Sequence, residues 1–193
     1  MDIAAVDHRL AEGRSAGGCG LTGVASAPDV RKRAFAPVVD SRTRLLILGS
    51  LPGDASLAAA QYYAHPRNAF WRLLGEVIGR DLAALPYPER LQTLQASGVG
   101  LWDVIAEAER PGSLDTAISN AQNADVVELV GRLPLLRAVA FNGALAARKG
   151  RRTLAEVGEA LRLIDLPSSS PAHARPFAEK SMAWSTLREV LAA

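Results

Sequence analysis

Four short apolar runs, separated by segments of helical character, limit what this chain of 193 residues can fold into. They are residues 44–48 (RLLIL), 99–104 (VGLWDV), 137–141 (RAVAF) and 161–166 (LRLIDL). Each has the length of a buried strand and runs into turn-forming residues. Between them the spacing predicts a helix over 54–62, which Asp54 or Ser56 can cap. A second helix starts at Asn68 and continues to Ile78, with Phe70, Leu73, Leu74 and Val77 on one face. Pro88 opens a helix over 88–96, and residues 112–120 read as a loop with one helical turn. Further helices are expected over 125–132, 144–157 and 176–191. Strands alternating with helices predict an α/β fold, a three-layer α/β/α sandwich around a four-stranded, mostly parallel sheet.

Composition narrows the class. No apolar run approaches the roughly 18 residues needed to cross a membrane, and no basic-then-apolar leader is visible. The single cysteine, Cys19, excludes an intramolecular disulfide and a four-cysteine metal site, and a cytoplasmic protein is expected. A formal charge of +2 means that any nucleic-acid role must rest on local patches. Residues 1–40, rich in Gly, Ala and Ser, read as a flexible extension, and residues 41–193 as the domain. The run Arg31-Lys32-Arg33 reads as a solvated patch.

In such a sheet ligands bind beyond the carboxyl ends of the strands. The residues expected there are Gly49-Ser50-Leu51-Pro52-Gly53, Asp103, Asn142-Gly143 and the loop 167–173. Several chemistries fail on these loops. There is no Gly-Lys-Ser/Thr and no G-x-G-x-x-G for phosphates. Ser168, Ser169 and Ser170 with His173 suggest a hydrolase triad, but no G-x-S-x-G elbow exists. His8, His65 and His173 are too dispersed to point to a metal. Asp54 and Asp103 are candidates for a carboxylate pair, and either also reads as the cap of a helix or turn. What remains is amides, backbone donors, histidine and aromatics, an inventory suited to a flat heterocycle held by stacking and edge hydrogen bonds.

The blocks GSLPG and QYYAHPRNAFW (residues 49–53 and 61–71), FNG at 141–143 and LPSSSPAHA at 166–174 resemble the uracil-DNA glycosylase superfamily, in particular its hypoxanthine-DNA (deoxyinosine) glycosylase branch. The resemblance runs from about residue 35 to the C-terminus. It implies a monofunctional DNA repair enzyme that flips a deaminated base and hydrolyses its N-glycosidic bond without a cofactor or metal. The partner would be DNA holding deaminated bases, with no membrane and a monomeric enzyme. Many superfamily members carry a water-activating Asp or Asn where this chain has Leu51, and a His where it has Leu166. The hypoxanthine branch also lacks the first of these, and its important Asn matches Asn68.

The chemistry follows from the bond. Cleavage builds positive charge on the sugar and negative charge on the departing base. Backbone N–H groups of the loop containing Gly49, Ser50, Leu51 and Gly53, with the Asn68 amide, are placed to stabilise that base. Tyr62, Tyr63, Phe70 or Phe141 would stack on it, and Asn142 and His65 would read its edge. Ser168, Ser169, Ser170, Pro171, Ala172 and His173 would grip phosphates and press into the duplex, with Arg148, Lys149, Arg151 and Arg152 nearby. Each has a plain structural alternative: Asn68 as a helix cap, the aromatics as core, Asn142 as a turn former, the histidines as surface residues. Two rival functions stay open, a non-catalytic binder of damaged bases or single-stranded DNA, and a hydrolase of free nucleosides.

Overall fold

A computed structural model of the chain describes residues 31–155, 157 and 161–192. In chain order the strands are β1 (Arg31–Arg33), β2 (Leu45–Gly49), β3 (Val99–Asp103), β4 (Ile105–Glu109), β5 (Ser119–Asn123), β6 (Ala138–Asn142) and β7 (Arg162–Leu166). The helices are α1 (Asp54–Ala59), α2 (Phe70–Ile78), α3 (Tyr87–Ala96), α4 (Val126–Gly131), α5 (Ala144–Leu154), α6 (Phe177–Trp184) and α7 (Leu187–Ala192).

The main sheet has the order β3-β2-β6-β7, and every pairing in it is parallel. Its side chains alternate between two apolar layers because successive residues of a strand point to opposite faces. Leu45 and Ile47 join Phe70, Leu73, Trp184 and Leu187 on one side. Leu46 and Leu48 join Leu129, Val139, Phe141 and Leu154 on the other. All four β2 leucine and isoleucine residues are 0% exposed, so this strand is the centre of the domain. Burying each contributes about 1.5–3 kcal/mol before conformational entropy is counted. The expected three-layer α/β/α arrangement is therefore present.

Three features depart from the sequence reading. First, a second, antiparallel sheet of order β1-β4-β5 flanks the main one. The run Arg31-Lys32-Arg33 is a strand of it and not a solvated patch: Arg31 and Arg33 pair with Glu107, while Lys32 is buried and donates to Asp54. Residues 31–40 thus belong to the domain, with Phe35 and Val38 against the core; the rest of the expected extension lies outside the described residues. Second, the helix expected to reach Tyr62 stops at Ala59, because Ala60 and Tyr63 take left-handed backbone angles, φ 51° and 54°. Neither Asp54 nor Ser56 caps it; Gly53 is the cap residue, and the Asp54 carboxylate is drawn off to Lys32 and Ser113. Third, the closing helix is broken into α6 and α7 around Ser185.

Candidate active site

The carboxyl ends of β2, β3 and β6 open onto a cleft of about 620 Å³. Gly49, Ser50, Leu51, Pro52 and Gly53 form one wall, Asn142 and Ser168 to His173 another, and Tyr62, Tyr63, His65 and Asn68 a third. Gly49 ends β2, and an added Cβ would lie 2.5 Å from Asp103 Oδ1 and 3.0 Å from the Tyr63 hydroxyl. Only glycine permits that approach.

The first loop is held by all five of its carbonyls and by the Ser50 hydroxyl. Gly49 O accepts from Val104 N–H at 2.9 Å, Ser50 O from Ile105 N–H at 3.2 Å and Gly53 O from Leu57 N–H at 3.0 Å. Arg110, 1% exposed, reaches in from the end of β4 and donates Nη1 to Leu51 O at 3.1 Å and Nη2 to Pro52 O. Asp115 lies 3.7 Å from the same guanidinium and accepts from Ser50 Oγ at 2.7 Å. With every carbonyl tied back, the N–H groups of Leu51 and Gly53 keep no acceptor among the described residues. A loop built this way presents donors.

Asn68 sits opposite, half-buried. Its Oδ1 accepts from Phe70 N–H at 3.0 Å at the start of α2. A backbone N–H can only donate, which fixes the acceptor end of the amide inward. The Nδ2 end has no partner among the described residues, on a residue that lines the cleft. Asn68 is therefore not the cap of α2, which is Ala69, but one end of its carboxamide holds the turn into the helix and the other is left as a donor.

The second loop is clamped through side chains. Asn142 Oδ1 accepts from Ser169 N–H at 2.8 Å, and its Nδ2 donates to Ser169 Oγ at 2.9 Å. Ser169 O in turn accepts from Ala69 N–H at 3.0 Å, so one serine joins β6, the last loop and the Asn68 segment. Gly143 has φ 106° and its Cβ position lies 3.1 Å from Ser168 Cβ, which permits this close approach. Ser168 and Ser170 hydroxyls accept from Ser170 and Ala172 N–H groups, making a rigid tip with Pro171 and Ala172 exposed. The buried Lys180 ammonium donates to Ser170 O.

Several expected site residues turn out to be structural. Phe70 and Phe141 do not line the cleft: both are 0% exposed core residues. Phe141 presses on α5 where Gly150 leaves room, and Phe70 stacks on Tyr63 with centroids 3.7 Å apart and planes at 10°. Tyr62 reaches the cleft wall, but it is 4% exposed, donates its hydroxyl to Ala36 O and meets Phe35 edge-on. Ser169, 1% exposed, has no face for DNA. His65 Nδ1 accepts from Arg67 N–H at 3.1 Å. His173 lies at the cleft with a buried Nε2 lacking a partner among the described residues; burial and the nearby Lys180 and Arg175 hold its pKa down. Of the basic cluster only Arg148 lines the cleft, while Lys149 bonds Asn123 and Arg151 bonds Asp165.

Sequence reasoning missed the wall that β4 and β5 bring. Arg110, Ser113, Leu114 and Asp115 come from the connection between these strands. Asp103 was visible as a carboxylate at a strand end, yet its burial was not. Its Oδ2 is buried without a partner among the described residues. Burial pushes the carboxyl up to about 7, against the pull of Arg110 and with Asp115 adding to the rise. The Tyr63 hydroxyl lies near Asp103 and Asn142 without a well-formed hydrogen bond, and burial raises its pKa too.

Sheet and cleft together define an α/β/α protein with a strand-end pocket of backbone and amide donors, sized for a flat heterocycle. The chain belongs to the uracil DNA glycosylase superfamily, whose family model matches residues 36–190. It is 40% identical over 155 residues to a hypoxanthine DNA glycosylase of Methanosarcina barkeri, covering 80% of this chain and 96% of that one. A hypoxanthine DNA glycosylase of Methanosarcina acetivorans is likewise 40% identical, over 79% of this chain and 95% of its own length. A Methanosarcina acetivorans protein studied by solution NMR as a candidate uracil DNA glycosylase superposes with a TM-score of 0.74 at 38% identity, over 84% of this chain and 99% of that one. Leu51 and Leu166, at the positions where many superfamily members carry polar residues, are 6% and 4% exposed and sit in the apolar layers. Among the described residues no three metal-ligating side chains cluster, and no helix is long and apolar enough to cross a membrane.

Proposed function

We propose that this protein is a monofunctional DNA glycosylase that takes a flipped deaminated base, hypoxanthine before uracil, into the cleft and hydrolyses its N-glycosidic bond. The observation that carries the reading is the first loop, whose carbonyls are all engaged, while the N–H groups of Leu51 and Gly53 and the Nδ2 end of Asn68 have no acceptor among the described residues and all three residues line one cleft of about 620 Å³. As the bond lengthens, negative charge gathers on the ring nitrogens and carbonyl oxygen of the base. Fixed donors strengthen their hold as that charge grows, which lowers the barrier without a strong base. One such donor is worth on the order of 10²–10³ in rate. Leu51 and Leu166 supply no proton acceptor, so stabilisation of the leaving base carries the main share. The two archaeal relatives favour hypoxanthine as that base. Oligonucleotides carrying inosine, uracil or xanthine test the reading. Alkali-labile sites, most abundant at inosine, are expected; retention of the oligonucleotide without cleavage would make the protein a binder, and turnover of free inosine alone a nucleoside hydrolase.

A further inference from the structure

A base leaves the stack only if something fills or holds open its place, and a protein does this with a rigid apolar side chain on the pocket rim. The last loop, expected to play that part, offers only Pro171 and Ala172 at its exposed tip. Four large apolar side chains are exposed among the described residues: Leu114, Val127, Leu135 and Met182. Only Leu114, 57% exposed, lines the cleft.

Leu114 is held on both sides. Ser113 Oγ accepts from Asp54 N–H at 3.0 Å and lies 3.1 Å from Asp54 Oδ2. Asp115 is fixed by Ser50 and Arg110. Just before them Gly112 turns the chain at φ 69°, and its carbonyl accepts from Lys32. An exposed leucine on a floppy loop needs no explanation. One whose two neighbours are bonded, one to the loop holding the leaving-group donors and the other to the first residue of α1 directly after it, has a fixed position relative to the base pocket.

We propose that Leu114 enters the duplex beside the flipped nucleotide and occupies the space that base leaves, making it the wedge of this chain. The inference rests on the glycosylase reading, and its substrate is double-stranded DNA. Single strands have no stack to hold open, so they need no wedge. The test compares single-turnover excision of hypoxanthine by the full chain and by Leu114→Ala, on a duplex and on the same strand alone. The variant is expected to lose at least about tenfold on the duplex and to stay within about twofold on the single strand. Leu114→Met is expected to recover most of the duplex rate. Equal loss on both substrates, or no loss on the duplex, overturns the proposal. Should the wild-type chain excise from neither substrate, the glycosylase reading fails by itself. The wedge is then judged by 2-aminopurine placed beside the inosine: emission rises on binding the wild type and not Leu114→Ala if Leu114 opens the stack, and an equal response from both contradicts it.

Discussion

The two loops that face each other across the cleft differ in what their ties leave uncommitted. Residues 49–53 are tied through their carbonyls, mostly by β4 and Arg110, which leaves N–H groups uncommitted. Residues 167–173 also have carbonyls engaged, Pro167 O by Trp184, Ser169 O by Ala69 and Ser170 O by Lys180, but there the side chains and N–H groups are used up as well, by Asn142 and by the hydroxyls of Ser168 and Ser170. Removing acceptors from one loop makes it an array of donors for developing negative charge. Using up donors in the other makes it a stiff wall. In the proposed reaction the first loop and Asn68 do the chemistry, and the second loop sets the width of the cleft.

The largest effect is expected at Arg110. Arg110→Ala strands two buried carbonyls, and should cost about 2–5 kcal/mol of stability, read by urea unfolding. Arg110→Lys keeps the charge but offers one point of contact in place of a fork. It should stay folded and still lose excision, which would separate donor presentation from folding.

Asn142→Ala attacks the other loop. Two hydrogen bonds to Ser169 disappear, at about 1 kcal/mol each, so a destabilisation of about 2 kcal/mol and faster proteolysis within 167–173 are expected. Weaker DNA binding should accompany them. Stability unchanged in urea unfolding would mean that the clamp is not what stiffens this wall.

Much of this arrangement was legible from residue order. The β2 run, its Gly-Ser-Leu-Pro-Gly turn and the strand-end position of Asn142 followed from apolar length and turn chemistry alone. The second sheet was not, since β5 reads Ser-Asn-Ala-Gln-Asn and is mostly exposed, and β4 alternates alanine with glutamate. Strands of that composition are specified by a partner, here the buried Lys32 side of β1, and not by their own hydrophobicity. Arg110 was invisible for the same reason. Phe141 was misplaced because a strand-end aromatic looks the same in sequence whether it points to the cleft or to Gly150. Asn68 was readable as cap or as donor; the cap of α2 is Ala69, and Asn68 instead holds Phe70 N–H with one end while its Nδ2 end has no partner among the described residues.

A smaller effect lies between the loops. Burial raises the Asp103 carboxyl to about 7 from 3.8. The folded protein then keeps a proton that the unfolded chain releases. That contribution to stability is complete below the unfolded value and is lost as pH rises through 7. Melting temperatures from about pH 4 to 8 should show the wild type falling relative to Asp103→Asn across this window. Parallel curves would mean that Asp103 is not the buried proton holder.

The division of labour between the loops is tested most directly at Asn68, by single-turnover excision of hypoxanthine. Asn68→Asp keeps an oxygen for Phe70 N–H and replaces the donor by an anionic acceptor, while Asn68→Ala removes both ends without adding charge. Both variants should fold and bind DNA, and both should excise at least about 10²-fold more slowly. A loss of threefold or less in Asn68→Asp would show that the amide merely holds the turn into α2, and that the charge on the departing base is met elsewhere.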